Sequence, residues 1–321
     1  MFQKHGGCVQ EMKGLVLKST GKFYQVKGAD GLMYPCQIRG KLRLKDAMTT
    51  NPVAAGDHVR FDDVNGEYLI REIGERKNYI IRKSVNLSRD ASIIASNIDV
   101  AFLLVTLSEP ETPMGFVDRF LVTAEAYDIT SVLLFHKYDQ YSGSELAKVE
   151  ALIAVYENVG YQCLRTSIVS GLNLDVLQEM MKDKVNLFSG QSGAGKSSLI
   201  NTIVPTLDLR VGEISDWSGK GQHTTTFAEM HELPFGGYMV DTPGIKGFGL
   251  VDIPKEELHH HFKEFFRLLP QCKFANCTHV NEPGCAVRKG LEAGTIAPSR
   301  YKTYLSMFND EEEKGGYRRN A

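Results

Sequence analysis

Residues 190–197 have the residue types and the spacing that bind phosphate groups. They fit the pattern G-x-x-x-x-G-K-[ST], between a short apolar run at 185–188 and a segment of helical character that begins at Ser198. In such a loop, backbone N–H groups and the N-terminus of the following helix converge on anionic oxygens. The pattern therefore predicts a cradle for the phosphates of a nucleotide.

We expect the side chains at the end of this loop to act on a triphosphate and its magnesium ion. Lys196 can place a cation beside the β- and γ-phosphates, and the Ser197 hydroxyl can ligate Mg²⁺. The alternative is a glycine-rich turn without function, which is disfavoured because strand, loop, lysine and serine are all in register. The predicted nucleotide contacts of the loop are Gly190, Gln191, Ser192, Gly193, Ala194, Gly195, Lys196, Ser197 and Ser198.

Two downstream segments have the composition of switch regions. Asp241 and Gly244 form a D-x-x-G pattern, in which the carboxylate can hold Mg²⁺ through water and the glycine N–H can contact a γ-phosphate. The pattern is common by itself and gains weight from following a phosphate loop. Residues 219–226 are rich in glycine and threonine, and we expect them to fold over the γ-phosphate. One hydroxyl there would reach Mg²⁺, and the candidates are Thr224, Thr225 and Thr226.

A carboxylate upstream of the phosphate loop is placed to select guanine. Asp139 can accept hydrogen bonds from N1–H and N2–H₂ of guanine, a pair of donors that adenine lacks. It ends the segment 136–139, which differs from the N-K-x-D pattern of GTPases because His136 replaces the asparagine. An imidazole N–H can donate to guanine N7, but it cannot reproduce both ends of an amide. The predicted base contacts are His136, Lys137, Tyr138, Asp139, Thr166 and Ser167.

The N-terminal part of the chain has the pattern of a small β-barrel. Residues 12–83 contain five short segments of strand-forming residues, separated by turns that contain glycine, aspartate or asparagine. Five short strands in about 70 residues predict a barrel of the OB type. We assign it to a domain of residues 1–84.

We expect this barrel to bind RNA. Four basic residues alternate along one segment and would share one face of an extended chain: Arg39, Lys41, Arg43 and Lys45. Phe23 and Tyr24 are candidates for stacking on bases, as in other barrels that bind single strands. The alternative is a solvated strand or loop face without a partner.

Strands and helices alternate in the middle of the chain. The continuous apolar run at 100–105 is typical of a strand buried on both faces, and an amphipathic helix follows Pro113. The alternation runs directly into the phosphate loop, which predicts one doubly wound α/β domain at residues 89–250. We interpret the polar residues 84–96 as a linker before it.

The pattern becomes helical after about residue 250, and we assign residues 251–321 to a helical domain. Its start contains three consecutive histidines, His259, His260 and His261. Consecutive residues of a helix point about 100° apart and cannot easily share one ion. We interpret the three as surface or packing residues.

The motifs occur in the order base, base, phosphate, switch, switch. With nearly 190 residues before the phosphate loop, this order resembles the YjeQ/YloQ family of circularly permuted GTPases, over nearly the whole chain. The resemblance implies an N-terminal OB-type β-barrel, a circularly permuted P-loop GTPase α/β domain and a C-terminal helical zinc-binding domain. It also implies GTP hydrolysis stimulated by the small (30S) ribosomal subunit, in late maturation of that subunit, with 16S rRNA as a partner.

The zinc site that the resemblance implies has a matching set of residues. Three thiols and one imidazole lie within 14 residues, and these are the ligand types and the number of ligands in a closed tetrahedral zinc site. The ligands would be Cys272, Cys277, His279 and Cys285. The alternative is a group of buried cysteines with an unrelated histidine.

Hydrolysis is predicted to be slow without help from a partner. Many GTPases place a water-orienting glutamine just after D-x-x-G, where this chain has Ile245, which cannot hydrogen-bond water. His223 is the best internal candidate for that task, with a loop histidine that caps backbone as the alternative. The residues predicted to take part in catalysis are His223, Lys196 and Gly244.

Composition agrees with a cytoplasmic protein that binds RNA. The 321 residues carry a net charge of -2, yet residues 1–90 contain 16 Lys and Arg against 10 Asp and Glu. The sequence has neither the apolar core of a signal peptide nor an apolar run long enough to span a membrane. Its six cysteines do not form a disulfide framework, so we expect a reducing cytoplasm. We also expect a monomer.

Two other functions remain open at this point. One is a zinc-containing P-loop ATPase, which the guanine-selective segment 136–139 disfavours. The other is a non-catalytic, nucleotide-gated RNA-binding assembly module. The complete set of Lys196, Ser197 and Asp241 disfavours it.

Overall fold

The computed structural model describes residues 11–38, 52–83, 91–209, 228–241 and 253–309. The chain forms two compact units, each built from several segments, which are described one at a time. The first unit comprises Met1–Val100, Gln178–Phe188 and Ile200–Ile245. The second comprises Ala101–Leu177, Ser189–Leu199 and Lys246–Ala321.

The first unit contains a closed barrel of five strands. They are β1 (Glu11–Ser19), β2 (Tyr24–Gly28), β3 (Met33–Ile38), β4 (His58–Val64) and β5 (Glu67–Ile73). The antiparallel pairs are β1–β2, β2–β3, β4–β5 and β1–β4, and β3 pairs with β5 in parallel. These pairings close the sheet on itself and confirm the predicted OB-type barrel.

Inward-facing residues of these strands form the barrel core. Successive side chains of a strand point to opposite faces of the sheet. Val16 and Phe61 point inward and are fully buried. Tyr24 also belongs to this core, at 2% exposure, so the prediction that it stacks on RNA bases is wrong. Its neighbour Phe23 is 55% exposed. The basic residues at 39–45 lie outside the described residues.

A β-hairpin follows the barrel, where β6 (Tyr79–Lys83) pairs antiparallel with β7 (Ala91–Ser96). The linker interpretation is therefore wrong for β7, because a short two-stranded hairpin leaves little periodicity in the sequence. A buried ion pair attaches the hairpin to the barrel. Arg76 donates two hydrogen bonds of 2.6 Å to the fully buried Asp57, which also accepts one from Ser96 Oγ at 2.6 Å.

The barrel is continuous with the strands around the phosphate loop. These are β11 (Val185–Gly190), β12 (Glu229–Glu232) and β13 (Tyr238–Asp241). β13 pairs in parallel with β11 and antiparallel with β12. β12 pairs antiparallel with β1, where Lys18 is opposite Glu229 and forms an ion pair with it. One sheet thus joins the barrel to the strand that leads into the phosphate loop.

The second unit contains the remaining α/β elements. Its strands are β8 (Val100–Val105), β9 (Thr130–Phe135) and β10 (Gln162–Arg165). Its longer helices are α1 (Met114–Ala126) and α2 (Gly143–Val159), and α3 (Leu174–Met181) and α4 (Lys196–Ile203) follow in the chain. β9 lies between β8 and β10 and pairs in parallel with β10. α2 ends at Gly160, whose φ of 99° lies in the left-handed region that favours glycine.

Three short helices form the C-terminal part of the second unit. They are α5 (Lys263–Leu268), α6 (Ala286–Glu292) and α7 (Pro298–Phe308). Their core contains Phe262, Phe265 and Tyr304, and Val122 of α1 packs into it. The helical character predicted after residue 250 is confirmed. In the parts of the chain that the structure describes, no helix has the length and apolar character of a membrane span.

A buried ion cluster joins these C-terminal helices to α1. Arg300, at 1% exposure, donates to Asp118 of α1 at 2.7 Å and to both oxygens of Glu264 at 2.7 and 3.0 Å. Tyr156 of α2 donates its hydroxyl to Asp118 at 2.9 Å. The cluster therefore holds elements of the α/β region and of the C-terminal helices in one arrangement.

Candidate functional site

The phosphate loop connects the end of β11 at Gly190 to the start of α4 at Lys196. Gly193 and Gly195 have φ values of 81° and 95°, in the left-handed region that glycine enters without steric cost. The Leu199 N–H donates to the Gly195 carbonyl at 2.8 Å, so the helix begins within the loop. The predicted strand, loop and helix are confirmed, and the nucleotide contacts of the loop stay predictions.

The segment that is predicted to bind the base lies against the phosphate loop. Residues 136–139 follow β9 directly. A Cβ atom added at Gly195 would lie only 3.1 Å from Cδ2 and from Nε2 of His136. The two loops approach this closely because residue 195 has no side chain. The structure thus brings together two groups of residues that are about 50 positions apart in the sequence.

His136 is fully buried between the two loops. Its Nδ1 hydrogen-bonds the Thr166 hydroxyl at 2.9 Å, and its Nε2 is buried without a hydrogen-bond partner. Burial lowers the pKa of His136 to about 4, with a smaller contribution from the charge of Lys137. The ring is therefore neutral at physiological pH and carries a single N–H.

Ser167 orients the carboxylate of Asp139. The Ser167 hydroxyl donates a hydrogen bond to Asp139 Oδ1. The same hydroxyl oxygen accepts the N–H groups of Val169 and Ser170, each at 3.1 Å. Two predicted base contacts from separate loops are thus bonded to each other, and the carboxylate is held in one orientation.

A second network supports the base segment through Tyr138. The Tyr138 hydroxyl donates to Glu150 of α2, and Arg165 of β10 donates to both Glu150 oxygens at 2.8 and 2.6 Å. These hydrogen bonds hold the pKa of Glu150 at about 2, Arg165 being the largest cause. The side chain of Tyr138 therefore bonds to the scaffold, and the backbone N–H of this residue donates to the Thr166 carbonyl at 3.1 Å.

Residues 107–109 also hold the base segment, and the sequence analysis missed them. Lys137 Nζ donates to the Glu109 carbonyl. The Tyr141 hydroxyl accepts the Leu107 N–H at 2.8 Å and donates to the His136 carbonyl at 3.1 Å. No motif marks these contacts, because they depend on how two loops meet in the folded chain.

Asp241 ends β13, at the carboxyl end of a strand next to β11. Its neighbour Val240 pairs with Leu187 of β11. Ligands of open α/β sheets bind at the carboxyl ends of the strands, which agrees with the predicted role of this aspartate. The other residues predicted around the γ-phosphate lie outside the described residues: His223, Thr224, Thr225, Thr226, Gly244 and Ile245.

The four predicted metal ligands lie together in the C-terminal helical part. They are Cys272, Cys277, His279 and Cys285, and their ligand atoms all lie within 4.8 Å of one another. His279 Nδ1 is 3.3 Å from Cys285 Sγ and 3.7 Å from Cys272 Sγ. Ligands of a tetrahedral zinc ion with Zn–S bonds of about 2.3 Å are themselves separated by roughly 3.8 Å. The cluster could therefore hold a metal ion.

Backbone and carboxylate groups pre-form the loop that carries these ligands. Burial raises the pKa of Cys277 to about 12, so its thiol binds a proton whenever no cation is present. Cys272 Sγ accepts the Ala286 N–H at 3.3 Å. Glu282 accepts the Thr278 N–H at 2.7 Å and the Val280 N–H at 3.0 Å. These hydrogen bonds help to define the conformation of the loop.

Sequence profiles of two families match the chain. The profile described as "RsgA GTPase" matches residues 73–251, and the one described as "RsgA N-terminal domain" matches residues 13–68. The chain is 54% identical to the small ribosomal subunit biogenesis GTPase RsgA of Christiangramia forsetii, over 94% of this chain and 97% of that protein. It is 51% identical to the protein of the same name from Bacteroides fragilis, over 96% and 99%.

Two solved structures share its fold. The crystal structure of YjeQ from Thermotoga maritima has a TM-score of 0.75 and 34% identity, over 94% of this chain and 98% of that one. The structure of YloQ, a circularly permuted GTPase, has a TM-score of 0.72 and 28% identity, over 98% and 100%. With an N-terminal barrel, a phosphate loop that follows its base segment and a possible metal site, the chain belongs to the RsgA family of circularly permuted GTPases.

Proposed function

We propose that this protein hydrolyses GTP to GDP on the small ribosomal subunit and acts in the late maturation of that subunit. Its relatives carry the name of small ribosomal subunit biogenesis GTPases. The observation that carries the proposal is the contact between the two loops. His136 packs against Gly195 of the phosphate loop, while Ser167 orients Asp139 beside it. A guanine base and its phosphates would thus be held by neighbouring loops.

Base selection rests on Asp139. Its carboxylate would accept two hydrogen bonds from guanine, and the buried His136 would donate its single N–H. Thr166 would fix the ring of His136, and Ser167 would fix the carboxylate. The stem of Lys137 would lie along the base.

The phosphates would be held by the loop N–H groups and by Lys196. Mg²⁺ bound with GTP would neutralise negative charge that develops on the phosphate oxygens. Hydroxyl and carboxylate oxygens are the ligands that suit this ion. Ser197 and one of the threonines at 224–226 would be its direct ligands, and Asp241 would bind through water. The Gly244 N–H would contact the γ-phosphate.

The protein's own hydrolysis step is proposed to be slow. Ile245 cannot orient a water molecule, and His223 is the residue of this chain that we propose for that task. The small ribosomal subunit would then raise the rate by positioning His223. This proposal makes hydrolysis depend on the correct partner.

We propose that the cysteine and histidine cluster holds one structural zinc ion. The set of three thiols and one imidazole is typical of structural zinc, and the distances between their ligand atoms fit a tetrahedral ion. A closed set of four protein ligands leaves no position for a substrate. The ion would therefore stabilise the C-terminal helices, and it would take no part in hydrolysis.

We further propose that the barrel contacts 16S rRNA. Residues 1–90 are basic, Phe23 is exposed, and Lys13 and Arg60 line a cavity of about 560 Å³ on the first unit. These three features suit single-stranded RNA. The proposed domains are residues 1–84, 89–250 and 251–321. We also propose that the protein is a monomer in the cytoplasm.

Turnover of GTP and of ATP, each with and without purified small ribosomal subunits, tests the proposed function. We expect GTP turnover alone to be measurable and to rise many-fold with the subunits. Equal turnover of ATP would favour the zinc-containing ATPase. Nucleotide binding without turnover under any of the four conditions would favour the non-catalytic assembly module.

A further inference from the structure

His259 lies beside the metal cluster with both ring nitrogens unpartnered. It belongs to the 3₁₀ turn Leu258–His261 and is 3% exposed. Neither its Nδ1 nor its Nε2 has a hydrogen-bond partner. A buried polar group without a partner costs free energy, so two such atoms in one ring point to a partner that is not yet engaged.

His279 has the complementary unpartnered atom. Its Nδ1 faces Cys285 Sγ at 3.3 Å and Cys272 Sγ at 3.7 Å, so Nδ1 is the nitrogen that a metal in the cluster would bind. Its Nε2 is buried and has no partner. A metal-bound histidine usually donates its other ring N–H to an acceptor, which fixes the tautomer and the orientation of the ring.

One of the described rings around His279 is best placed to accept its Nε2–H. The rings in contact with it, among the residues that the structure describes, are those of His259, Phe265 and Tyr304. The Tyr304 hydroxyl donates to the Thr278 carbonyl, and the Tyr304 ring is the farthest of the three, with its centroid 6.5 Å from that of His279. The Phe265 ring has no nitrogen or oxygen. Of these three rings, His259 is the closest to His279 and has unpartnered nitrogens, so it is the side chain best placed to accept the Nε2–H of His279.

The two imidazoles have a separation that suits this bond. Their ring centroids are 5.0 Å apart and the ring planes are inclined by 83°. Two imidazoles joined by a linear N–H···N bond of ordinary length have their centroids about 5 Å apart. Rotation of the His259 ring about its Cβ–Cγ bond exchanges nitrogen and carbon positions. No hydrogen bond of that ring opposes the rotation.

We propose that His259 is a positioning residue of the metal site, which accepts the Nε2–H of His279 when a metal ion binds Nδ1. The proposal rests on the metal site proposed above. In this arrangement His259 fixes His279 in the tautomer whose Nδ1 lone pair is available to the metal. Loss of such a partner typically weakens metal binding 10- to 100-fold.

Zinc affinity of the full-length chain tests this role, measured by competition with a chromophoric chelator. His259→Phe keeps the ring shape and removes the acceptor, and we expect it to weaken Zn²⁺ binding at least about tenfold. His259→Gln keeps an acceptor and should weaken Zn²⁺ binding by no more than about threefold, against the tenfold loss expected for His259→Phe. His261→Phe is the matched control, because His261 is on the same turn and makes no ring contact with His279 among the described residues. It should leave the affinity unchanged.

Two results would overturn the proposal while leaving the metal site intact. One is a His259→Phe chain that binds Zn²⁺ as tightly as the wild type. The other is equal weakening by His259→Phe and His259→Gln, which would show a packing role only. A wild-type chain that fails to bind one Zn²⁺ would instead contradict the metal site itself, and this proposal with it.

Nuclear magnetic resonance of zinc-loaded protein with ¹⁵N-labelled histidine gives a second readout that does not depend on the variants' folding. In the wild type, we expect the Nε2–H of His279 to exchange slowly with water because it is buried and hydrogen-bonded. Rapid exchange of the Nε2–H of His279 in the zinc-loaded wild type would overturn the proposal.

Discussion

Asp139 is the residue that we propose to determine base specificity. Asp139→Asn exchanges an acceptor for a donor at one carboxylate oxygen, so the side chain can no longer accept both guanine donors. We expect the variant to lose at least about tenfold of the preference for GTP over ATP, equivalent to about 1.4 kcal/mol. Competition between the two nucleotides in a binding assay measures this ratio.

Glu145→Gln is the control for that measurement, because it neutralises an exposed carboxylate at the start of α2. It should leave the ratio unchanged. An Asp139→Asn chain with the full wild-type preference for GTP would show that another residue reads the base.

His136 makes stability depend on pH. Its folded-state pKa of about 4 lies below the usual value, since burial opposes the charged ring. The stabilisation from its neutral form is therefore complete above about pH 6.5 and is lost as the pH falls towards 4. His136→Asn removes this group, so the free energy of unfolding should fall less steeply with acid, by up to about 1.4 kcal/mol per pH unit.

Urea unfolding between pH 4 and pH 8 provides the comparison. His58→Asn, at an exposed position of β4, controls for a general effect of losing a histidine. Parallel stability curves for wild type and His136→Asn across this range would contradict the buried neutral ring.

A buried ion pair between Arg300 and Asp118 joins α7 to α1 in the second unit. Arg300→Met leaves the buried Asp118 and Glu264 carboxylates without their counter-charge, which typically costs about 3–5 kcal/mol. We expect the free energy of unfolding to fall by about that amount, as measured with urea. Arg288→Met, at an exposed position of α6, should change it by less than about 0.5 kcal/mol. A loss below about 1 kcal/mol for Arg300→Met would mean that water replaces the arginine.

Most elements could be predicted from local patterns, and the errors have physical causes. The barrel strands, the buried strand at Val100–Val105 and the helices have clear periodicities. β7 was missed because a short two-stranded hairpin leaves little pattern, and Tyr24 was misassigned because the inward face of β2 depends on its register. The β1–β12 pairing joins residues about 210 positions apart, and local patterns contain no information about it.

The candidate site also has parts that the sequence predicts and parts that it does not. The phosphate loop, the base segment and the metal ligands have fixed spacings, so the sequence alone predicted which of them would be neighbours. Tyr141 and Glu282 support those groups through hydrogen bonds that no spacing specifies, and the role proposed for His259 depends on unpartnered atoms of the folded chain. These residues are far from the groups they support in the sequence or follow no motif, so only the folded chain shows them together.

At the scale of the whole molecule, the metal ion is expected to hold the C-terminal helices in their fold. Removal of zinc with a chelator should lower the thermal midpoint by roughly 10 °C, since a loss of several kcal/mol shifts a domain of this size by that amount. Cys285→Ser should reproduce the shift without chelator. Cys163→Ser, which changes a cysteine outside the cluster, should not. An unchanged midpoint after complete metal removal would contradict a structural ion.

The central claim is that a small ribosomal subunit switches on GTP hydrolysis by this chain. The most direct measurement compares GTP turnover by the wild type alone, with purified small subunits and with purified large subunits, using Lys196→Ala as the inactive control. We predict slow turnover alone, a many-fold increase with small subunits only, and no increase for Lys196→Ala. Equal stimulation by both subunits, or the same increase in the Lys196→Ala chain, would contradict the account.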